Sequence, residues 1–124
     1  MDIFLTLSLM IIPFTMLFIG TLWKKHPPKK INRIYGYRTR MSMKNMETWE
    51  FAHKYIGRLW YALGGIAAVL TSIFILVFMD SVNFENITLI LQLGQLTLLI
   101  GSIFSAEAAL RKNFDKRGFK KDNS

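Results

Sequence analysis

The sequence predicts an all-α integral membrane protein: a three-helix bundle with a cytoplasmic amphipathic helix before the second span. Three observations carry that prediction. Ile3–Trp23, Leu59–Met79 and Ile87–Ala106 are uncharged stretches of 20 or 21 residues. At about 1.5 Å per residue each spans the roughly 30 Å of bilayer hydrocarbon. No water reaches the backbone there, so each stretch must be a helix. The chain is 52 % hydrophobic and 19 % charged, and its charges are segregated rather than mixed. Too little sequence remains outside the spans for a large soluble core, so residues 1–124 read as one membrane domain.

The first stretch follows Asp2 and ends in Trp23-Lys24-Lys25. A signal peptide has a basic start and a small-residue cleavage site, so this segment reads as a retained anchor. Pro13 removes a backbone donor inside it, which membrane helices tolerate where neighbours compensate. Pro27 and Pro28 end the helix and favour an extended path. Ile31–Met43 is a loop with turn chemistry at Gly36. Lys44–Arg58 reads as an amphipathic helix. Trp49, Ala52, Ile56, Leu59 and Trp60 share one face at three- and four-residue spacing, with Glu47, Glu50, Lys54 and Arg58 opposite. Glu50 and Lys54 are placed for an i,i+4 pair, and Ser42 or Asn45 for the cap. No proline separates this helix from the second span. It either continues directly or bends near Gly57, which would lay the Trp49 face on the membrane surface.

Small residues stripe the second span (Gly64, Gly65, Ala68, Thr71, Ser72) and the third (Gly94, Thr97, Gly101, Ser105, Ala108). Such stripes let helices approach, and these two spans are expected to pack on each other, with homo-oligomer contacts as the alternative. Gln92 and Gln95 are expected to turn inward as interhelical hydrogen-bonding groups, because an amide facing lipid is costly. Glu107, at the inner end of the third span, can pair with Arg111 or reach the basic loop. The spans hold no ionisable residue, which argues against an ion-coupled pump.

All sixteen Lys and Arg residues fall between the first and second spans or in the tail; the short N-terminus and Asp80–Asn86 have none. The positive-inside rule then places the N-terminus outside, the long connector and the basic tail (107–124) in the cytoplasm, and the short loop outside. The net charge of +8 suits contact with anionic lipid rather than nucleic acid. The tail is expected to be solvated. With no cysteine and only His26 and His53, disulfides, thiolate catalysis and a zinc site are excluded. No cofactor is implied.

The densest feature outside the spans is Asn32–Asn45, followed by Glu47-Thr48-Trp49. Gly36 permits positive φ, Tyr35 and Tyr37 suit a membrane interface, and Arg38 can grip a phosphate or carboxylate through two parallel bonds. The run Tyr35–Trp60 resembles the SdpI/YfhL family of bacterial membrane proteins. Gly36, Tyr37, Arg38, Thr39, Ser42, Met43, Trp49, Ala52 and Gly57 match its signature, and the order of spans and loops matches as well. The family is named for a member that protects its producer from a secreted membrane-active peptide and signals by recruiting a repressor. That member carries further spans beside the three-span module found here.

The resemblance implies a multi-pass protein of the bacterial inner membrane that gives immunity to such a peptide, with a signalling role beside it. A cationic peptide toxin would meet Asp80 and Glu85 in the short loop. One alternative is a cytoplasmic-face binding module, in which the Tyr35–Trp49 region and tail hold a soluble regulator or an anionic lipid headgroup. Another is a transporter of lipid or an apolar molecule. No catalytic triad is legible, so enzymatic activity is not expected. The candidate binding residues are Tyr35, Gly36, Tyr37, Arg38, Thr39, Ser42 and Trp49, with Gln92, Gln95 and Glu107 as polar contacts in the bundle.

Overall fold

The computed structural model describes residues 3–121. It contains α1 (Ile3–Lys25), α2 (Met46–Phe78) and α3 (Phe84–Asn113). All three are long and apolar enough to cross a membrane. Among the described residues the only β pairing is an isolated bridge between Phe114 and Lys120. Asp2 and residues 122–124, the end of the basic tail, lie outside the described residues.

The 33 residues of α2 reach about 50 Å, well beyond the roughly 30 Å of hydrocarbon. The excess is the expected amphipathic segment. It is not a separate helix before the second span: from Met46 onward it forms the opening turns of α2 and runs through Gly57 uninterrupted. Asn45 caps it. Its Oδ1 accepts from the Thr48 N–H at 2.9 Å, and its own N–H donates to Thr48 Oγ1 at 3.1 Å. This reciprocal box satisfies two otherwise orphaned donors. Trp49, Ala52 and Ile56 are fully buried against protein rather than laid on a membrane surface, while Glu47, Glu50, Lys54 and Arg58 are exposed. The expected Glu50–Lys54 pair is not formed. Among the described residues the ion pair within 4 Å is Arg117–Asp115. A solvated helical pair gains only a few tenths of a kcal/mol, too little to hold two long side chains together.

α1 and α2 are antiparallel and pack backbone to backbone. A Cβ added at Gly20 would sit 2.4 Å from the Tyr61 nitrogen, one at Gly57 2.6 Å from the Lys24 nitrogen, and one at Gly64 2.6 Å from the Leu17 nitrogen. Lipid tails are as apolar as leucine, so this van der Waals approach is itself the driving force for the pair. Gly64 of the second-span stripe therefore serves α1, which corrects the expectation that the stripe as a whole meets the third span; Thr71 of the same stripe does turn to α3. Gly94 and Gly101 have nothing within 4 Å of an added Cβ, and Thr97 and Ala108 are exposed. Larger side chains carry the looser α2–α3 contact instead: the Tyr55 hydroxyl bonds Ser105 Oγ, and Trp60 Nε1 donates to Ser102 Oγ at 2.9 Å.

Pro13 is buried inside an unbroken α1. Lacking an N–H, it leaves the Leu9 carbonyl without its helical donor. Gln95 Nε2 of α3 donates to that carbonyl at 3.0 Å and also lies 3.1 Å from Thr71 Oγ1 of α2. One amide thus links all three helices where α1 is weakest. Nearer the other end, Gln92 Nε2 donates to Ser8 Oγ.

The described part of the tail folds back on itself, while Arg111, Lys112, Lys116, Arg117, Lys120 and Lys121 stay exposed, as expected of a solvated segment. Asp115 Oδ1 accepts from the Arg117 and Phe119 N–H groups, and the Lys121 N–H returns to the Asn113 carbonyl at 2.8 Å. Asn45 Nδ2 pins the turn by donating to the Gly118 carbonyl at 2.7 Å. Phe114 is buried edge-on to Phe51, with centroids 5.4 Å apart. The end of α1, the start of α2 and the end of α3 therefore meet at one end of the bundle. The connector and the basic tail gather there.

Candidate functional site

The connector between α1 and α2 is held by its own backbone before it touches anything else. Asn32 Oδ1 accepts from the Ile34 and Tyr35 N–H groups, making a turn that leaves Ile34 and Tyr35 exposed. Gly36 then adopts φ 110°, a conformation that L side chains rarely enter. An added Cβ would also lie 2.9 Å from His53 Nε2 and 3.0 Å from the Trp49 ring. Conformation and space both demand glycine, and the reversal turns Tyr37 inward.

A chain of buried hydrogen bonds follows. Trp49 Nε1 donates to the Pro28 carbonyl at 2.8 Å. The Tyr37 N–H donates to His53 Nε2 at 2.8 Å, so that nitrogen is unprotonated and the proton sits on Nδ1, which donates to the Trp49 carbonyl at 2.8 Å. Ser42 Oγ donates to the Tyr37 carbonyl at 2.9 Å and accepts from the Thr39 N–H at 2.8 Å. The Ser42 N–H returns to Thr39 Oγ1 at 3.2 Å. The Tyr37 hydroxyl donates to Glu107 Oε1 at 2.6 Å. Trp23 meets the His53 ring edge-on at 4.8 Å and stacks with Trp60 at 5.9 Å. The connector, α2 and α3 are thereby tied at one point, with α1 packed alongside.

His53 is fully buried, six residues before the apolar stretch of α2. Burial pushes its imidazole pKa down, partly offset by the bond to the Trp49 carbonyl. It is neutral here, with both nitrogens committed to backbone. Burial and the adjoining Glu107 carboxylate push the Tyr37 hydroxyl up. No group of three or more metal-ligating side chains occurs among the described residues.

The expected binding residues divide. Gly36, Tyr37, Ser42 and Trp49 face the interior, and Thr39 closes the small turn beside them. Tyr35 and Arg38 are exposed. Arg38 bonds the Arg33 carbonyl through Nη1 and has no carboxylate partner among the described residues. Of the bundle residues, Glu107 joins this site through Tyr37 rather than pairing with Arg111; Gln92 and Gln95 are elsewhere, near Ser8 and Leu9. His53 is the residue that sequence reasoning missed. Its signal was its place four residues after Trp49 on the apolar face of a helix, where an imidazole must find partners.

A curated relative, described as "Uncharacterized protein YfhL" from Bacillus subtilis (strain 168), is 43 % identical over 53 residues. The matched stretch covers 43 % of this chain and 48 % of the relative, so the chain spans about half the length of that protein. No solved structure matches. The sequence model of the SdpI/YfhL protein family matches residues 29–106, from the connector through both later spans, and the chain belongs to that family.

Proposed function

We propose that this chain is an immunity protein of the bacterial inner membrane, protecting the cell from a secreted membrane-active peptide. The observation that carries the reading is family membership across the connector and the two later helices. The orientation is proposed from charge. Both basic segments gather at one end of the bundle, and the positive-inside rule assigns that end to the cytoplasm, leaving the N-terminus outside. The opposite end then faces the attacking peptide. A pocket of about 370 Å³ opens there, lined by Leu5, Met79, Val82 and Phe84 with Asp80 and Glu85. A lining that mixes apolar side chains with two carboxylates, and holds no cation among the described residues, matches an amphipathic cationic peptide.

Expression in a sensitive strain should raise survival under challenge with the cognate peptide. Asp80→Asn with Glu85→Gln should remove the protection at equal membrane abundance. Unchanged killing curves across a panel of cationic membrane-active peptides would overturn the proposal.

A second reading rests on Arg38. It is exposed and has no carboxylate partner among the described residues, which suits recognition of a cytoplasmic regulator and a signalling arm. Arg38→Ala should then abolish recruitment and leave insertion intact. Identical co-purifying proteins from both forms would refute it.

A further inference from the structure

At the basic end, a pocket of about 630 Å³ lies between three segments far apart in sequence. The turn after the connector supplies Arg40, Met41 and Lys44, the end of α3 supplies Arg111 and Phe114, and the folded tail supplies Lys116. Lys121 and Asp115 complete the wall. The pocket exists because the tail is pinned by Asn45 to Gly118 and by Phe114 against Phe51.

Its charge is not balanced from within. Asp115 Oδ1 is occupied by the Arg117 and Phe119 N–H groups, and Oδ2 lies 3.7 Å from Arg117, outside the pocket. Lys121 Nζ donates to the Arg111 carbonyl at 2.6 Å, capping α3. Arg40, Lys44, Arg111 and Lys116 have no carboxylate within 4 Å among the described residues. Cations held together over an apolar floor of Met41 and Phe114 call for an amphiphilic anion.

Depth selects the anion's source. Arg111 follows Ala106, the end of the uncharged stretch of α3, by five positions, or about 7–8 Å along the helix. That is the thickness of the headgroup layer on one side of a bilayer. Ala108 and Phe104, one and two turns back on the same face of α3, are exposed, leaving an open apolar path from the pocket into the hydrocarbon. We propose that this pocket binds the phosphate headgroup of an anionic phospholipid, with an acyl chain lying along α3. The site is separate from the opposite end of the bundle and does not depend on the immunity reading.

The test uses the full chain equilibrated with equal amounts of phosphatidylglycerol and phosphatidylcholine in detergent, with retained lipid read by native mass spectrometry. The native chain should retain phosphatidylglycerol preferentially. Lys44→Gln with Arg111→Gln should cut that preference by about fivefold per cation removed. Lys29→Gln with Lys30→Gln, an equal charge change on the connector outside the pocket, should leave it intact. Equal loss in both pairs, or none in either, overturns the proposal. Displacement of the lipid by inorganic phosphate at matched concentration would instead assign a free anion and overturn the lipid source. In the native chain, phosphatidylglycerol should slow acylation of Lys44 and Lys116 by an uncharged reagent relative to phosphatidylcholine, with Lys29 unchanged. Absence of that protection refutes the site even where a variant fails to fold.

Discussion

Gln95 and Pro13 should be thermodynamically coupled although neither side chain's chemistry suggests it. Leu9 is fully buried, so its carbonyl has no solvent to replace the N–H that Pro13 lacks. Gln95 Nε2 at 3.0 Å is its replacement donor. Gln95→Leu orphans that carbonyl, which costs about 1–3 kcal/mol in a buried site. Two terms reduce the net effect. Gln95 Oε1 is itself buried without a partner, so deleting it relieves one penalty. Thr71, the second acceptor at 3.1 Å, can turn to its own helix. A net loss of about 1–1.5 kcal/mol follows, inside the range measured for interhelical bonds in membranes. In a Pro13→Ala background the new N–H reaches Leu9, and Gln95→Leu should cost little. The cycle is read by reversible unfolding in mixed micelles, with an expected coupling of about 1 kcal/mol. Additivity within about 0.3 kcal/mol would show that Gln95 does not act on the proline gap.

Three further outcomes follow from the site. Gly36→Ala combines positive φ with a crowded Cβ and should cost about 1–3 kcal/mol or more, seen as a lowered melting temperature in detergent, whereas Tyr35→Ala beside it should be near neutral. Tyr37→Phe removes the donor to Glu107 and should cost about 1.5 kcal/mol; Glu107→Gln keeps an acceptor and should cost less, so the reverse order in denaturant midpoints would count against the bond. Because the imidazole pKa of His53 is lowered on folding, its contribution is intact above the unfolded value near 6.5 and is lost as pH falls below it. Stability should decline by at most about 1.4 kcal/mol per pH unit there. His53→Phe should flatten that slope between pH 5 and 6.5, and an unchanged slope would assign it to other groups.

Much of the architecture was legible in one dimension because a bilayer imposes one-dimensional constraints. Hydrocarbon thickness fixes the length of an uncharged run, and the absence of water fixes its conformation, so Ile3–Trp23, Leu59–Met79 and Ile87–Ala106 had a single reading. The Gly-Tyr-Arg-Thr motif at Gly36–Thr39 likewise pointed to the family. The site was legible as a segment but not as an arrangement. Residue types alone made Arg38, Tyr37 and Trp49 look equivalent, whereas the turn at Gly36 sends Tyr37 inward and leaves Arg38 in solvent.

The pairing of helices was decided only in three dimensions. Small-residue stripes on α2 and α3 have the same spacing, and nothing in that spacing says which stripe meets which neighbour. The backbone approach at Gly20, Gly57 and Gly64 commits α2 to α1 and leaves Gly94, Thr97 and Gly101 of the α3 stripe open. His53, Gln95 and the tail follow the same logic. Each satisfies a hydrogen-bonding or packing need created by residues distant in sequence: the Tyr37 amide, the carbonyl stranded by Pro13, and the side-chain amide of the half-buried cap Asn45. Local composition announces that a chain must cross a membrane; which buried polar groups remain to be matched is known only once the helices have met.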